Sequence, residues 1–550
     1  MILDLERGLD LSIALLPELI LTVWAMLLLL ILAWRHRQPG IQRQIGWLSL
    51  AGTIVAIAAT IWLWKSNAQV PGLPSSMAVD SFRWAVDLIV LLGVALTTIL
   101  SIGYLDREGI NVPEYHVLVL LAAVGMLFMA GGADLLIIFL GLETMSVCVY
   151  VLAGINRRSP FSAEAALKYF LLGAFASAFL LYGIALIYGA TGTTKLALVG
   201  FSSGRPVPGV HVMMGAGIAM LVIGFGFKVA AVPFHMWAPD VYDGAPTPAT
   251  AFMAATVKAA AFGALVRVLL VGLVNAQPDW ARVLWWLAAV TMVAGNLLAL
   301  AQRSLKRMLA YSSVAHAGYL LAALVAGSAA GAAAFLFYLL FYTLATIGAF
   351  AVLIAKGRGG ERDVTLDDLA GLSETHPLLA GVMAISMLSL MGFPGTAGFI
   401  GKWYILLAAT GGGYVTVAVV LVLASVVSAG YYLPVIMAMY MKPRATERAH
   451  EQTGLPNVVR VMLALMLVAL VAAGVYPGWT LEKARQGSQP FLPKMTTAQM
   501  VRPMQGTPAP LPPGHPGAPS GDAQQLPPGH PGAPGAPRQL PPGHPGAPVR

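Results

Sequence analysis

The chain has 550 residues, 58% of them hydrophobic and 10% charged, with a mean hydropathy of +0.76. Soluble domains carry about 25% charged residues. The 33 basic and 24 acidic side chains are too few to coat a soluble protein of this length, so a polytopic membrane protein is expected. The single cysteine, Cys148, excludes a disulfide framework and any thiolate zinc or iron–sulfur site built by this chain alone. No GxGxxG follows a strand and no GxxxxGKS/T occurs, which argues against a nucleotide fold. The net charge of +9 is scattered between apolar runs, which suits membrane loops better than nucleic acid.

A bilayer core about 30 Å thick takes about 20 apolar residues per helix. Fourteen such runs are predicted, at 12–34, 46–64, 83–103, 115–131, 133–155, 164–190, 212–232, 249–271, 282–301, 305–327, 332–355, 378–409, 414–441 and 461–477. They are numbered helices 1 to 14. The first is too long for a cleaved signal peptide and is expected to be retained. If the amino terminus lies outside, the inner loops hold sixteen basic residues and the outer loops six. That asymmetry and the even helix count place both termini on the outer side of the membrane.

Helices 7 and 12 are predicted to be broken. Gly224 to Asp240 reads GFGFKVAAVPFHMWAPD, and Gly392 to Trp403 reads GFPGTAGFIGKW. Each joins Gly and Pro to a lysine in an apolar run. Broken membrane helices persist where they face protein or water. A matched pair in two halves points to inverted repeats, here helices 4–8 and 9–13. The offset of five is odd, so the two units have opposite topology. The transmembrane domain is expected to span residues 1–478. Residues 479–550 are expected to form a disordered tail, in which LPPGHPGAP recurs at Leu511, Leu526 and Leu540.

Five basic residues lie inside apolar runs: Lys168, Lys228, Lys258, Arg267 and Lys402. A charge at mid-membrane costs roughly 2.5–3.5 kcal/mol, so they should face the bundle interior, a partner or internal water. Glu143 and Lys258 fall near the middles of helices 5 and 8, with no opposite charge at i±3 or i±4. Lys228 and Lys402 sit beside the two breaks. His316 falls mid-way along helix 10, where it could relay protons or be a hydrogen-bonded core histidine. Glu164 and Lys168 form an i,i+4 pair at the inner end of helix 6. Arg267 is read as snorkelling to the outer surface. Glu18 and Asp87 are read as interface or subunit-contact residues. Burial disfavours a charged lysine and a nearby carboxylate favours it, so a Glu–Lys pair of changing separation acts as a proton switch. Buried lysines would repel a metal cation, which favours protons as the cargo.

Several segments resemble the antiporter-like subunits of bacterial proton-pumping NADH–quinone oxidoreductase, respiratory complex I. They are GLETMSVCVYVLAG (Gly141 to Gly154), EAALKYFLLGAFASAFLLYGIALIYGATGTT (Glu164 to Thr194), KVAAVPFHMWAPDVYDGAPTPATAFMAATVKAAAF (Lys228 to Phe262) and RMLAYSSVAHAGY (Arg307 to Tyr319). The Glu164–Thr194 run points to subunit N among them, and the likeness covers about residues 10 to 478. The resemblance implies that Glu143, Lys228, Lys258 and Lys402 carry proton translocation, with Glu164, Lys168 and His316 supporting them. It implies a translocase subunit without cofactor or metal of its own. NADH, flavin, iron–sulfur clusters and quinone would lie in partner subunits, and the complex would sit in the bacterial cytoplasmic (inner) membrane, with both termini periplasmic. The Pro/Gly tail departs from the family pattern. A subunit of a cation/proton antiporter or of a membrane-bound hydrogenase complex, with the same core, is the alternative.

Overall fold

The structure is a computed structural model, which describes residues 8–35, 40–66, 76–203, 210–357, 364–443 and 455–492, together with Met1, Leu3, Gln38 and Ala68. The repeats after Leu511 and the rest of 493–550 lie outside the described residues.

The apolar runs form helices because their polar starts supply caps. Asp80, Asp134, Ser159, Ser304 and Ser328 each accept a hydrogen bond from a first-turn amide. After a short helix at Gly8–Ala14, the membrane helices are α1 (Leu16–Arg35), α2 (Ile41–Lys65), α3 (Ser81–Arg107), α4 (Glu114–Gly131), α5 (Leu135–Ala153) and α6 (Pro160–Thr191). Then come α7, in halves α7a (Val210–Val229) and α7b (Trp237–Gly244), and α8 (Thr247–Gly272). The second half of the chain brings α9 (Gln277–Leu300), α10 (Leu305–Leu324), α11 (Ala329–Lys356), α12a (Pro377–Met391), α12b (Ala397–Gly411), α13 (Val415–Met441) and α14 (Asn457–Val475).

Twelve of the described helices are long and apolar enough to cross a bilayer. The other two crossings are α10, whose 20 residues reach about 30 Å, and the two halves of α12. The fold is all-helical, and three isolated bridges are the only β pairing among the described residues.

The predicted repeat is visible in backbone packing. At the α4/α5 crossing, a Cβ on Gly125 would lie 2.5 Å from the Met145 amide, and one on Gly141 would lie 2.6 Å from the Met129 amide. Five helices later, Gly295 and Gly318 place α9 and α10 in the same reciprocal contact, with 2.6 Å to the Ala315 amide and 2.7 Å to the Met292 amide. Small residues allow such close approach between membrane helices. The cap of α5 bridges to the chain after α6 (Asp134 to Lys195), and the cap of α10 bridges to the chain after α11 (Ser304 to Thr365). Replacing Gly141 with leucine should therefore push α5 off α4 and lower the amount of folded chain in the membrane. Gly215→Leu, which meets nothing within 4 Å, should fold normally; blue-native electrophoresis reads both.

Helix α11 is central and packs against α3, α8, α10, α12 and α14. The domain boundary lies later than expected. A helix at Gly478–Ser488 packs on α3 and α11, Ser81 donates to the Gln486 carbonyl at 2.7 Å, and Phe491 meets Phe82 edge-on at 4.8 Å. Its low hydropathy hid it: buried Leu481 and Ala484 lie three residues apart on one face of an otherwise polar sequence.

Candidate functional site

On α5, Glu143, Ser146 and Tyr150 follow at spacings of three and four, which puts them in one stripe. Glu143 is half-buried and accepts a hydrogen bond from Ser177 on α6. Ser146 donates to the Leu142 carbonyl and accepts from Lys228 Nζ at 2.7 Å. Lys228, 1% exposed, also donates to Tyr150 Oη at 3.1 Å. Its ammonium lies 5.8 Å from the Tyr169 ring centre and 5.7 Å from that of Phe227. Lys228 thus reaches the Glu143 helix through a hydroxyl, one turn from the carboxylate.

The break follows at once. Ala230 has φ of 58°, and Val232–Pro233 is cis. The groups freed there find protein partners: the Phe227 carbonyl accepts from Trp237 Nε1 at 3.0 Å, and the Val232 amide donates to Thr291 Oγ1 at 2.9 Å. In α12, Gly392 and Gly395 take φ of 86° and 87°. Lys402 Nζ donates to the Met391 carbonyl at 3.0 Å, so the lysine of the second half caps the first.

Lys258 opens the regular part of α8, immediately after a π-turn at Met253–Val257. Its Nζ donates to the Ser313 carbonyl at 2.7 Å and to the Ser313 hydroxyl. Helix α10 then carries the line onward. Tyr342 Oη donates to Ser313 Oγ at 3.1 Å, and the Tyr342 ring stacks on His316 at 5.2 Å. His316 Nδ1 pairs with Tyr338 Oη at 2.6 Å and Nε2 with Tyr432 Oη at 3.1 Å, while Tyr432 also meets the Ser312 hydroxyl. Tyr431 donates to Asn296 at 2.8 Å, Asn296 to Tyr319 at 3.1 Å, and Lys402 Nζ lies 4.3 Å from the Tyr319 ring centre. Ser312, Ser313, His316 and Tyr319 of α10 therefore join Lys258 to Lys402 through hydroxyls, amides and rings. No hydrogen bond among the described residues joins Lys228 to Lys258.

Glu164 and Lys168 stand apart from this line. Lys168 Nζ lies 2.7 Å from Glu164 and 2.8 Å from Asp240, and Asp240 binds Arg307 at 2.9 Å. These side chains are 34–59% exposed and tie α6, α7b and α10 together at their ends.

Three readings of the outer-end charges are corrected. Glu18 and Asp87 are not at a subunit surface: they are 1% and 0% exposed, on either side of a fully buried Arg83. Arg83 Nη2 lies 2.6 Å from Glu18 Oε1, and Nε lies 3.4 Å from Asp87 Oδ2. Arg83, one of the six basic residues counted to the outer loops, belongs to α3 instead. Arg267 does not snorkel: it is 3% exposed and binds Asp80 through two nitrogens, at 2.7 and 3.0 Å. Burial alone would raise the Asp80 carboxyl, but Arg267, together with the amide and charge of Arg83, offsets it and holds the group below its ordinary value. The i,i+4 spacing of Arg83 and Asp87 was a usable signal; the arrival of Glu18 from 65 residues away was not.

Sequence reasoning also missed the uncharged members of the line, Ser146, Tyr150, Ser312, Ser313, Tyr338, Tyr342 and Tyr432. Among the described residues no group of three or more His, Cys, Asp or Glu is placed to hold a metal. Ser146→Ala should uncouple Lys228 from Glu143 while leaving the fold intact. If the resemblance holds, the proton transfer it implies is expected to fall roughly tenfold, equivalent to about 1.4 kcal/mol, as read by dye-monitored vesicle acidification.

Residues 132–428 match the family described as NADH:quinone oxidoreductase/Mrp antiporter, TM. The chain is 48% identical over 499 residues to NADH-quinone oxidoreductase subunit N of Gemmatimonas aurantiaca, covering 88% of this chain and 95% of the relative. It is 44% identical to the subunit of the same name from Trichlorobacter lovleyi, covering 86% and 95%. Among solved structures it matches a chain of respiratory complex I from Thermus thermophilus with bound aureothin at 39% identity and a TM-score of 0.72, covering 85% and 98%. A chain of the Mrp complex from Dietzia sp. DQ12-45-1b matches with a TM-score of 0.75 at 22% identity, which shows the shared fold alone. With full-length identity of this order on the subunit N side, this multi-pass membrane chain belongs to the subunit N family of NADH-quinone oxidoreductases.

Proposed function

We propose that Glu143, Lys228, Lys258, His316 and Lys402 form the proton path of this subunit, through which electron transfer from NADH to quinone elsewhere in the complex drives proton translocation. One observation carries the reading. Lys228, Lys258 and Lys402 are at most 5% exposed, and none has a carboxylate within ion-pair distance among the described residues. Each is held by a hydroxyl or a carbonyl. Without a counter-carboxylate to fix its charge, the protonation of each lysine answers to the field of groups further off. Glu143 exerts that field on Lys228 through the Ser146–Tyr150 stripe. Lys258 passes the proton to Ser313 and the His316 tyrosines, and Lys402 receives it at the α12 break. Glu164 and Lys168 act on this path only from its edge, through Asp240 and Arg307.

Glu143 borders an apolar face of α5 on which Leu140 and Val147 are exposed. A carboxylate there is costly against lipid, so this face is the contact with a neighbouring membrane subunit. NADH, flavin, iron–sulfur clusters and quinone belong to partner subunits. The bias of basic loops, sixteen to six by sequence and sixteen to five once Arg83 is placed in α3, supports a bacterial inner-membrane orientation with both termini periplasmic. Purification in mild detergent tests the assignment. Co-migration with flavin- and iron–sulfur-bearing partners is expected; several small membrane partners and no redox centres would identify a cation/proton antiporter instead.

A further inference from the structure

We propose that Asp87 is a second proton-exchanging group of this subunit, serving the Lys258 helix from the end of the molecule where α3 begins. The inference rests on the reading of the chain as a proton module and extends the path beyond the lysine line.

The charge count comes first. Five ionisable groups meet at this end: Glu18 from α1, Asp80, Arg83 and Asp87 from α3 and its cap, and Arg267 from α8. Asp80 and Arg267 close a two-pronged pair, and Asp80 also accepts from the Arg83 amide at 2.8 Å. That leaves Glu18 and Asp87 to share one guanidinium. Arg83, Glu18 and Asp87 are all at most 1% exposed. With both carboxyls ionised, one negative charge would be buried without balance, at a cost of several kcal/mol. One bound proton restores neutrality.

Geometry says where the proton sits. Glu18 Oε1 is bonded to Arg83 Nη2 at 2.6 Å. Asp87 has only the 3.4 Å approach of Arg83 Nε, and neither of its oxygens accepts a hydrogen bond among the described residues. Asp87 is therefore the neutral acid. Arg83 stands ready for the anion that forms when the proton leaves: its Nη1 donates to the Ala78 carbonyl at 2.8 Å, and Gly131, lacking a side chain, leaves room where a Cβ would lie 2.6 Å from Nε.

The level of the group links it to the path. A Cβ on Gly93 of α3 would meet Thr256 of α8, and one on Gly263 of α8 would meet Val86 of α3. The two helices thus run antiparallel in contact, and Asp87 lies level with Phe262. That is four residues, about 6 Å of rise, beyond Lys258. The buried Thr256 hydroxyl, also without a partner among the described residues, lies on the Lys258 side of this level. The proton moves as H⁺ between carboxyl and amine, with no other bond made or broken.

Asp87→Asn in the whole complex is the test, because asparagine copies the neutral acid in size and charge. If Asp87 exchanges its proton, the variant assembles in normal amount and proton transfer falls on the order of a hundredfold, the low end for positioned acid–base groups. Assembly with wild-type pumping would overturn the proposal. Lys228→Ala run in parallel separates the two readings. Loss in Lys228→Ala with normal pumping in Asp87→Asn removes only the role of Asp87; normal pumping in both removes the proton-module reading itself. Infrared difference spectra of the native complex carrying isotope-labelled aspartate need no substitution. A protonated aspartic acid band that changes on turnover is expected, and its absence overturns the assignment even if Asp87→Asn fails to assemble.

Discussion

Complexes carrying Lys228→Ala are expected to assemble, retain their redox centres and lose coupled proton transfer on the order of a hundredfold. The ammonium is fully buried, and its partners are two uncharged groups, Ser146 Oγ and Tyr150 Oη. Removing it strands no counter-ion, so the fold has no charge penalty to absorb. Glu143→Gln is the companion. Its amide oxygen still accepts from Ser177, so α5 and α6 stay joined while the field on Lys228 disappears. NADH–quinone turnover and vesicle acidification, normalised to assembled complex, read both variants. A purely structural role for these charges predicts the reverse pattern, with poor assembly and normal pumping per complex.

The second large effect concerns stability. Arg83→Met should cost roughly 3–5 kcal/mol, the usual penalty for removing one partner of a buried ion pair. Glu18 would lose its 2.6 Å partner and remain 1% exposed. The amount of complex in membranes and its thermal midpoint in detergent should both drop. Arg83→Met combined with Glu18→Gln should recover most of the loss, because no buried charge is then left unmatched. A single variant as stable as the native complex would show that Arg83 does not hold this end together.

Much of this was legible in the chain. Hydrophobic runs of about 20 residues have few folds open to them, since in lipid every backbone group needs a partner within the protein, which a helix supplies along its own length. The breaks at Lys228 and Lys402 announced themselves through Gly and Pro, which cannot be hidden in an apolar run. The lysines and Glu143 stood out because charge at that depth is costly. What stayed hidden was cheap or distant. A serine or tyrosine in a membrane helix costs little, so Ser146, Ser313 and Tyr342 looked like ordinary helix positions until their partners arrived from other helices. Glu18 and Arg83 meet across 65 residues, and Arg267 and Asp80 across 187. Spacing rules see one helix at a time: they reached Glu164–Lys168, while Arg83–Asp87, at the same spacing, went unread. The polar helix after Gly478 escaped because a hydropathy window averages away a face only a few residues wide.

The widened turn before Lys258 sets the aim of that lysine. A π-turn holds one residue more than a regular turn closes over. Everything after Val257 is therefore rotated about 100° from where an unbroken 3.6-residue helix would carry it. The bearing of Lys258 onto Ser313 thus depends on the widened winding of 253–257. The same residues closed as regular α-helix would keep every functional side chain and still swing the ammonium about a quarter-circle off its acceptor.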